Sequence, residues 1–341
     1  MSELLGPGPQ VNRRQWLRLS LGSGAALAAG SLTAAHDPLI WRDRPLQALG
    51  TDLWLRAAHR SAATADAGLD AAVAAIRHVE RHMSLFDANS AVSRLNRDGV
   101  LHQPHVDLVR VLRLAQTVSE RSQGAFDVTV QPLWNAWFAA QKAGQMPNPL
   151  SVAAARARVG WRHLQITDQK ISFDRPGMGL TLNGIAQGFA ADLAQQALRD
   201  HGIEHALIDT GEWAALGTGP NAAPWTLGVA DPRLEGALIA SLQMNGRAIA
   251  TSSDAHYRFA ESDRHHHIFD PRTGYSPPKL ASVTVAASTC AMADALTKVM
   301  FMGSAEQALA LAQVWGVGVL AVDKAGRWVA SPDLKKVIKM A

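Results

Sequence analysis

The chain has 341 residues, 48% of them hydrophobic, with Gly 27 and Pro 16; this excludes a collagen-like or disordered polymer and leaves room for one large domain or two ordinary ones. Its formal net charge is +4, of which Arg13, Arg14 and Arg18 against Glu3 supply +2, so the remainder gives no reason to expect a nucleic-acid partner. A single cysteine, Cys290, excludes an internal disulfide and any multi-cysteine metal centre, and its apolar context reads as core.

Residues 1–35 read as a leader rather than as fold. The pair Arg13-Arg14 precedes a weakly apolar run from Leu19 to Leu32 and a small-residue end at Thr33-Ala34-Ala35. That is the pattern of a twin-arginine export signal, cleaved near Ala35. The run is too short and glycine-rich to span a bilayer well, and no later stretch qualifies. The expectation is a periplasmic protein of residues 36–341 with no stable membrane insertion.

From Pro45 to Leu55 apolar and polar residues alternate around Gly50, which predicts a first strand with a close backbone approach at Gly50-Thr51. Leu69, Val73, Ile76, Val79 and Met83 share one face of a predicted helix over Ala62–Met83. A turn at Asp87–Ser90 leads to a short helix over Ser90–Asn96, and a second long helix spans Val106–Ser122. Gly124 to Trp134 reads as extended chain. A polar loop over 141–150 and a short helix over Val152–Val159 follow, then a hairpin pairing His163–Ile166 with Lys170–Phe173.

Leu180-Thr181-Leu182 is strand-like, Asn183-Gly184 breaks it, and Ile185–Arg199 is helical. A strand that delivers the chain to a helix N-terminus makes an anion site. Strands are predicted at His205–Asp209, Trp225–Val229, Ala237–Leu242, Ala248–Ser252 and Ala281–Ala287. Helices are predicted at Ala291–Phe301 and Ala305–Trp315, and a terminal hairpin at Val317–Asp323 and Arg327–Ala330. Strict strand–helix alternation is absent, so the expected class is α+β, a single domain with mixed or antiparallel sheets and packed helices. The chain contains neither a GxGxxG fingerprint nor a P-loop.

His265, His266 and His267 run into the turn Asp270-Pro271-Arg272-Thr273-Gly274. The run reads either as a solvent-exposed loop or as an imidazole held beside a ligand. Adjacent residues of an extended segment point to opposite faces, which argues against all three converging on one zinc ion.

Ordered, separated motifs carry a resemblance. They are Leu49-Gly50-Thr51, Met83-Ser84-Leu85-Phe86, Gly124-Ala125-Phe126-Asp127, Leu182-Asn183-Gly184-Ile185-Ala186-Gln187-Gly188, Asp209-Thr210-Gly211-Glu212, His267 through Gly274, and Ala293-Asp294-Ala295-Leu296-Thr297. In this order and spacing they resemble the flavin transferase family, the FAD:protein FMN transferases, from about Leu46 to Trp328. The resemblance implies a flavin transferase fold and an enzyme that cuts the pyrophosphate of FAD. It implies attachment of FMN to a Thr or Ser of an exported electron-transfer protein, release of AMP, and Mg²⁺ as cofactor. Whether the protein is a monomer or a homodimer stays open.

The resemblance also assigns roles. Asp294 is the leading metal ligand, with Thr297 and the backbone carbonyl of Ala186 completing the protein donors. His267 is the acid–base residue beside the acceptor hydroxyl. Gly124, Ala125, Phe126 and Asp127, with Phe86 and Thr51, line the flavin nucleotide, and Thr210, Gly211 and Glu212 form a turn beside it. Three positions depart from the family pattern: Gln187 stands where a lysine is usual, Glu212 where a second glycine is usual, and Lys298 where a threonine is usual, Thr297 coming one residue earlier. Lys298 reads either as a replacement for the positive charge lost at Gln187 or as a solvent-facing helix residue. Two rivals stand beside this reading: a metal-dependent FAD pyrophosphatase giving FMN and AMP, if the same pocket positions water instead of a hydroxyl, and a non-catalytic FAD-binding or carrier protein, if the changed metal loop has ended catalysis.

Overall fold

The structure is a computed structural model and describes residues 38–260 and 263–340; the leader expected over 1–35 lies outside the described residues. β1 (Ile40–Ala48) and β2 (Thr51–His59) form a hairpin across Leu49-Gly50, which have φ of 54° and 75°. One strand was expected over Pro45–Leu55, and the structure corrects this to two. Hairpin turns of two residues favour positive φ because it matches strand twist. The apolar alternation runs unbroken through that turn, so it hides the break.

α1 (Ala62–Met83) has the predicted bounds and begins at Ser61, whose side chain accepts from the Thr64 N–H at 3.3 Å. Its buried face includes Leu69, Ile76, Val79 and Met83. Each such aliphatic side chain, fully buried, contributes roughly 1.5–3 kcal/mol. α2 (Ala91–Asp98), β3 (Val100–His102) and α3 (Val106–Arg121) follow. α4 (Gln131–Lys142) overlaps the stretch expected to be extended. Pro132 lies in its first turn, where a missing N–H is harmless, and Leu133 and Trp137 are buried one turn apart. α5 (Pro149–Arg156), β4 (Leu164–Ile166) and β5 (Lys170–Phe173) come next, with β3, β5 and β4 forming a small sheet.

The second half contains α6 (Ala186–Asp200), β6 (His205–Asp209), β7 (Trp213–Leu216), β8 (Thr226–Ala230), β9 (Leu238–Gln243), β10 (Ala248–Ser253) and β11 (Leu280–Ala287). α7 (Cys290–Phe301), α8 (Ala305–Trp315), β12 (Gly318–Asp323) and β13 (Trp328–Ala330) follow. The expected terminal hairpin is present, but α9 (Pro332–Lys335) and β14 (Ile338–Met340) extend beyond it. β7 and β14 are too short to announce themselves by alternation.

The main sheet runs β1-β2-β6-β7-β10-β11-β12-β13, with antiparallel neighbours throughout, and a second sheet runs β14-β9-β8. β11 is buried along its whole length because it has a core on each side. Val283, Val285 and Ala287 join the core shared with α1, α6 and α7, whereas Ala286 joins the core shared with β8 and β9. A satellite cluster joins α4 and α5 to Phe259 and Phe269. The fold is α+β. Among the described residues, no helix is long and apolar enough to cross a membrane.

Candidate active site

α6 begins without a side-chain cap of its own. Its first N–H groups therefore need acceptors from elsewhere. Asp294 on α7 supplies one: Oδ2 accepts from the Gly188 N–H at 3.2 Å. The favour is returned at the head of α7, where Asp192 of α6 accepts from Cys290 N at 2.7 Å and Ala291 N at 2.9 Å. Each carboxylate also sits where the partner helix dipole is positive. The helices approach this closely because position 188 is glycine. A Cβ there would lie 2.3 Å from the Cys290 carbonyl oxygen.

Asp294 is fully buried. Its Oδ1 accepts a short charge-assisted hydrogen bond from Lys298 Nζ, one turn along α7, and Nζ also donates to the Asp294 carbonyl at 3.2 Å. A bare buried carboxylate would be costly, so the ammonium neutralises it in place. Thr297, also buried, donates to the Asp294 carbonyl at 2.6 Å and lies 2.7 Å from the Ser252 hydroxyl on β10. The donors gathered here are carboxylate and hydroxyl oxygens, and the ammonium marks where positive charge is favoured. That chemistry fits a hard dication such as Mg²⁺.

The Lys298 stem runs beside Gly184. A Cβ at 184 would meet Lys298 Cε at 3.1 Å and Phe126 Cε2 at 3.5 Å, so the missing side chain leaves both room beside the backbone. Next to it, Thr210 Oγ1 donates to the Gln187 carbonyl at 2.8 Å, tying the β6–β7 turn to the start of α6. Gly211 has φ of 91° and donates its N–H to Asp209 Oδ1 at 2.9 Å. Glu212 Oε2 accepts from Thr251 N at 3.0 Å and so braces β10.

The three consecutive histidines separate. His265 packs its ring against Trp137, with centroids 5.0 Å apart. His266 is fully buried: its N–H donates to Ser276 Oγ at 2.9 Å and its Nε2 lies 3.3 Å from the Pro277 carbonyl. Burial, then Lys324, holds its pKa down at about 4. His267 donates its backbone N–H to the Tyr257 carbonyl at 3.1 Å. Its Nδ1 is shielded from solvent and has no hydrogen-bond partner among the described residues. Desolvation, then His256, His266 and Lys298, keeps this ring well below the ordinary imidazole range, so it is neutral at pH 7.

A model of the ApbE family matches residues 49–321. The chain belongs to the ApbE family. It is 31% identical over 259 residues to an FAD:protein FMN transferase of Vibrio cholerae, covering 73% of this chain and 77% of the relative. It is 30% identical over 259 residues to one of Klebsiella pneumoniae, covering 72% and 74%. The crystal structure of the ApbE protein of Thermotoga maritima superposes with a TM-score of 0.80 at 25% identity, covering 87% of this chain and 99% of that one. The apo flavinyl transferase ApbE of Pseudomonas stutzeri gives 0.77 at 25% identity, covering 90% and 98%.

Within this ApbE-family fold, Asp294, Thr297 and Lys298 gather on one side of α7, with Phe126 and Gly184 against the Lys298 stem and Thr210 linked through Gln187. Ala186 is the first residue of α6, two before the Gly188 amide that Asp294 binds. Phe86 lies over the β1–β2 turn, its ring where a Gly50 Cβ would be, and is 61% exposed beside Thr51. Gly124, with φ of 79°, ends the turn after α3, and Ala125 and Phe126 are buried beyond it. Asp127 is turned to local use: Oδ1 accepts from Thr129 N and Oγ1, and Oδ2 from Trp161 N at 2.9 Å. Burial raises its pKa despite those bonds.

Sequence reasoning missed Asp192 and Ser252. Asp192 stands one turn after Gly188 on α6, a spacing that puts both on one helix face. That spacing was the available signal. Ser252 had none, because its partner Thr297 is distant in sequence.

Proposed function

We propose that this ApbE-family protein transfers the FMN moiety of FAD to a Thr or Ser hydroxyl of an exported electron-transfer protein and releases AMP. The observation that carries the reading is Asp294, buried at the head of α6 on the Gly188 amide. It sits in a chain whose relatives are named FAD:protein FMN transferase. Asp294, Thr297 and the Ala186 carbonyl would hold Mg²⁺, which when bound supplies positive charge for the pyrophosphate oxygens.

The acceptor oxygen forms a bond to the FMN phosphorus while the bond to the AMP phosphate breaks, and AMP leaves with that electron pair. His267 takes the hydroxyl proton. A base has to start neutral, and burial keeps His267 so. Lys298, whose ammonium sits on Asp294 Oδ1, would offer its positive charge to a phosphate oxygen and offset the neutral Gln187. Phe126, Gly124 and Ala125 line the nucleotide, with Phe86 and Thr51 at the hairpin end. Asp127 and the Thr210–Glu212 turn act as braces for that lining, consistent with their hydrogen bonds inside the protein.

The test is incubation with FAD, Mg²⁺ and a candidate acceptor domain, read by in-gel flavin fluorescence and intact mass. Covalent FMN on the acceptor with one AMP released supports transfer. AMP with free FMN would make the protein a pyrophosphatase, and intact FAD a binding protein. We also place the mature enzyme, residues 36–341, in the periplasm through a twin-arginine signal. Cell fractionation of wild type and of an Arg13→Lys, Arg14→Lys double variant checks this, with the variant expected to stay in the cytoplasm.

A further inference from the structure

We propose that His78, His82 and His105 form a second cation site, for a transition-metal dication of the zinc class, at the junction of α1 and α3. The three side chains come from separated parts of the chain. His78 and His82 are one turn apart on α1 and so share a face. His105 is the residue that caps α3. Their ring centroids lie 4.7, 4.3 and 4.8 Å apart, and one ligand nitrogen from each falls within 4.8 Å of the others.

A point equidistant from three atoms that far apart is roughly 2.8 Å from each, so a closure of under about 1 Å per nitrogen reaches the zinc–imidazole bond of about 2.0–2.1 Å. Rotation of half-buried side chains supplies such a closure.

A carboxylate completes the arrangement. Asp107 Oδ2 lies 2.9 Å from His78 Nε2 and 3.5 Å from His105 Nδ1. Histidine ligands commonly give their other ring nitrogen to such an acceptor, which fixes tautomer and ring orientation. That leaves Nδ1 of His78 for the ion. His105 Nδ1 accepts from the Asp107 N–H at 3.2 Å, so binding through its Nε2 would move the ring proton to Nδ1 and exchange that cap for Asp107 Oδ2 at 3.5 Å.

The charge state also suits it. Three imidazoles at these separations repel one another when protonated. Burial, then His78 and His105, holds His82 down at about 4, so its ring is neutral at pH 7. Neutral imidazole is the ligand form, and nitrogen donors select zinc-class ions over Mg²⁺ or Ca²⁺. An ion here would tie the last turn of α1 to the first turn of α3. The chain between them begins with Met83-Ser84-Leu85-Phe86.

The test uses tag-free full-length protein stripped with a chelator and titrated with Zn²⁺ alone, with Co²⁺ as a spectroscopic probe. We expect one equivalent of Zn²⁺ outside the α7 site, a visible tetrahedral-type Co²⁺ band, and a rise in Tm on loading. His82→Gln and His105→Gln should each weaken binding by about 10²-fold. Asp294→Asn should leave both the equivalent and the Co²⁺ band in place. His105 has a side chain 40% exposed, so its variant keeps the fold, checked by circular dichroism. Zn²⁺ affinity unchanged in both histidine variants, an equivalent lost only with Asp294→Asn, or no bound equivalent in wild type would overturn the proposal.

Discussion

Two helix junctions in this molecule gather ligand-type side chains, and they differ in donor chemistry. At α6–α7 the donors are oxygens, Asp294 and Thr297, packed so tightly that a glycine is required at 188. At α1–α3 they are imidazole nitrogens, two on half-buried side chains of α1 and one on the more exposed His105. The oxygen junction already carries a cation, the Lys298 ammonium, whereas at the imidazole junction burial and its two histidine neighbours hold the His82 ring neutral. The two donor sets differ in kind, and as proposed sites they would favour different classes of ion.

The sharpest way to break this contrast is Asp294→Asn. Transfer should fall by roughly 10²–10³-fold or more, the scale of losing a preorganised charge contact, and Mg²⁺ dependence should vanish in steady-state assays. Zn²⁺ binding at the imidazoles should survive, and its loss would merge the two sites into one.

Next in size is Lys298→Met, which leaves a buried carboxylate unpaired. Urea unfolding without metal should show a loss of about 3 kcal/mol, and added Mg²⁺ should restore much of it. Restoration by Zn²⁺ at equal concentration would contradict the assignment of donors.

Gly188→Ala should cost about 1–3 kcal/mol by overpacking, because the new Cβ meets backbone rather than a movable side chain. Transfer should fall with it. A wild-type Tm would mean the junction is slack.

The smallest expected effect comes from acid. His82 and His266 have folded pKa values near 4 against an ordinary 6.5, so below pH 6.5 the unfolded chain binds more protons than the folded one. Stability from these groups is complete at pH 7 and is lost as pH falls from 6.5 towards 4. For the fully buried His266 the loss between pH 7 and pH 5 is on the order of 2 kcal/mol. Stability curves in urea at both pH values check the sign, and His266→Gln should flatten the difference.

Legibility in the sequence followed physical range. α1, with a long apolar stripe and a serine cap, was readable to the residue. β6, β12 and β13 were readable because short apolar runs lie between clear turns. α4 was not, because Pro132 reads as a breaker until it is known to sit in a first turn. The β1–β2 hairpin was hidden by unbroken alternation. At the site, Asp294, Thr297 and Lys298 share one helix, so their proximity follows from spacing alone. Asp192 and Ser252 act across elements; the one-turn spacing from Gly188 hints at Asp192, whereas no local pattern encodes Ser252. The same limit applies to histidine. The consecutive His265, His266 and His267 draw the eye and diverge, whereas His78 and His82 meet His105 only through tertiary packing.

The hydrogen bond from Gly188 to Asp294 has a thermodynamic consequence. While it stands, the carboxylate consumes one of the few donors at the head of α6. If the proposed dication took that oxygen, the amide would be freed, and a free amide at a helix N-terminus can donate to phosphate. Cation and nucleotide would then each tighten the other by the same factor, since coupling between two ligands is reciprocal. The protein would hold neither firmly alone and both firmly together.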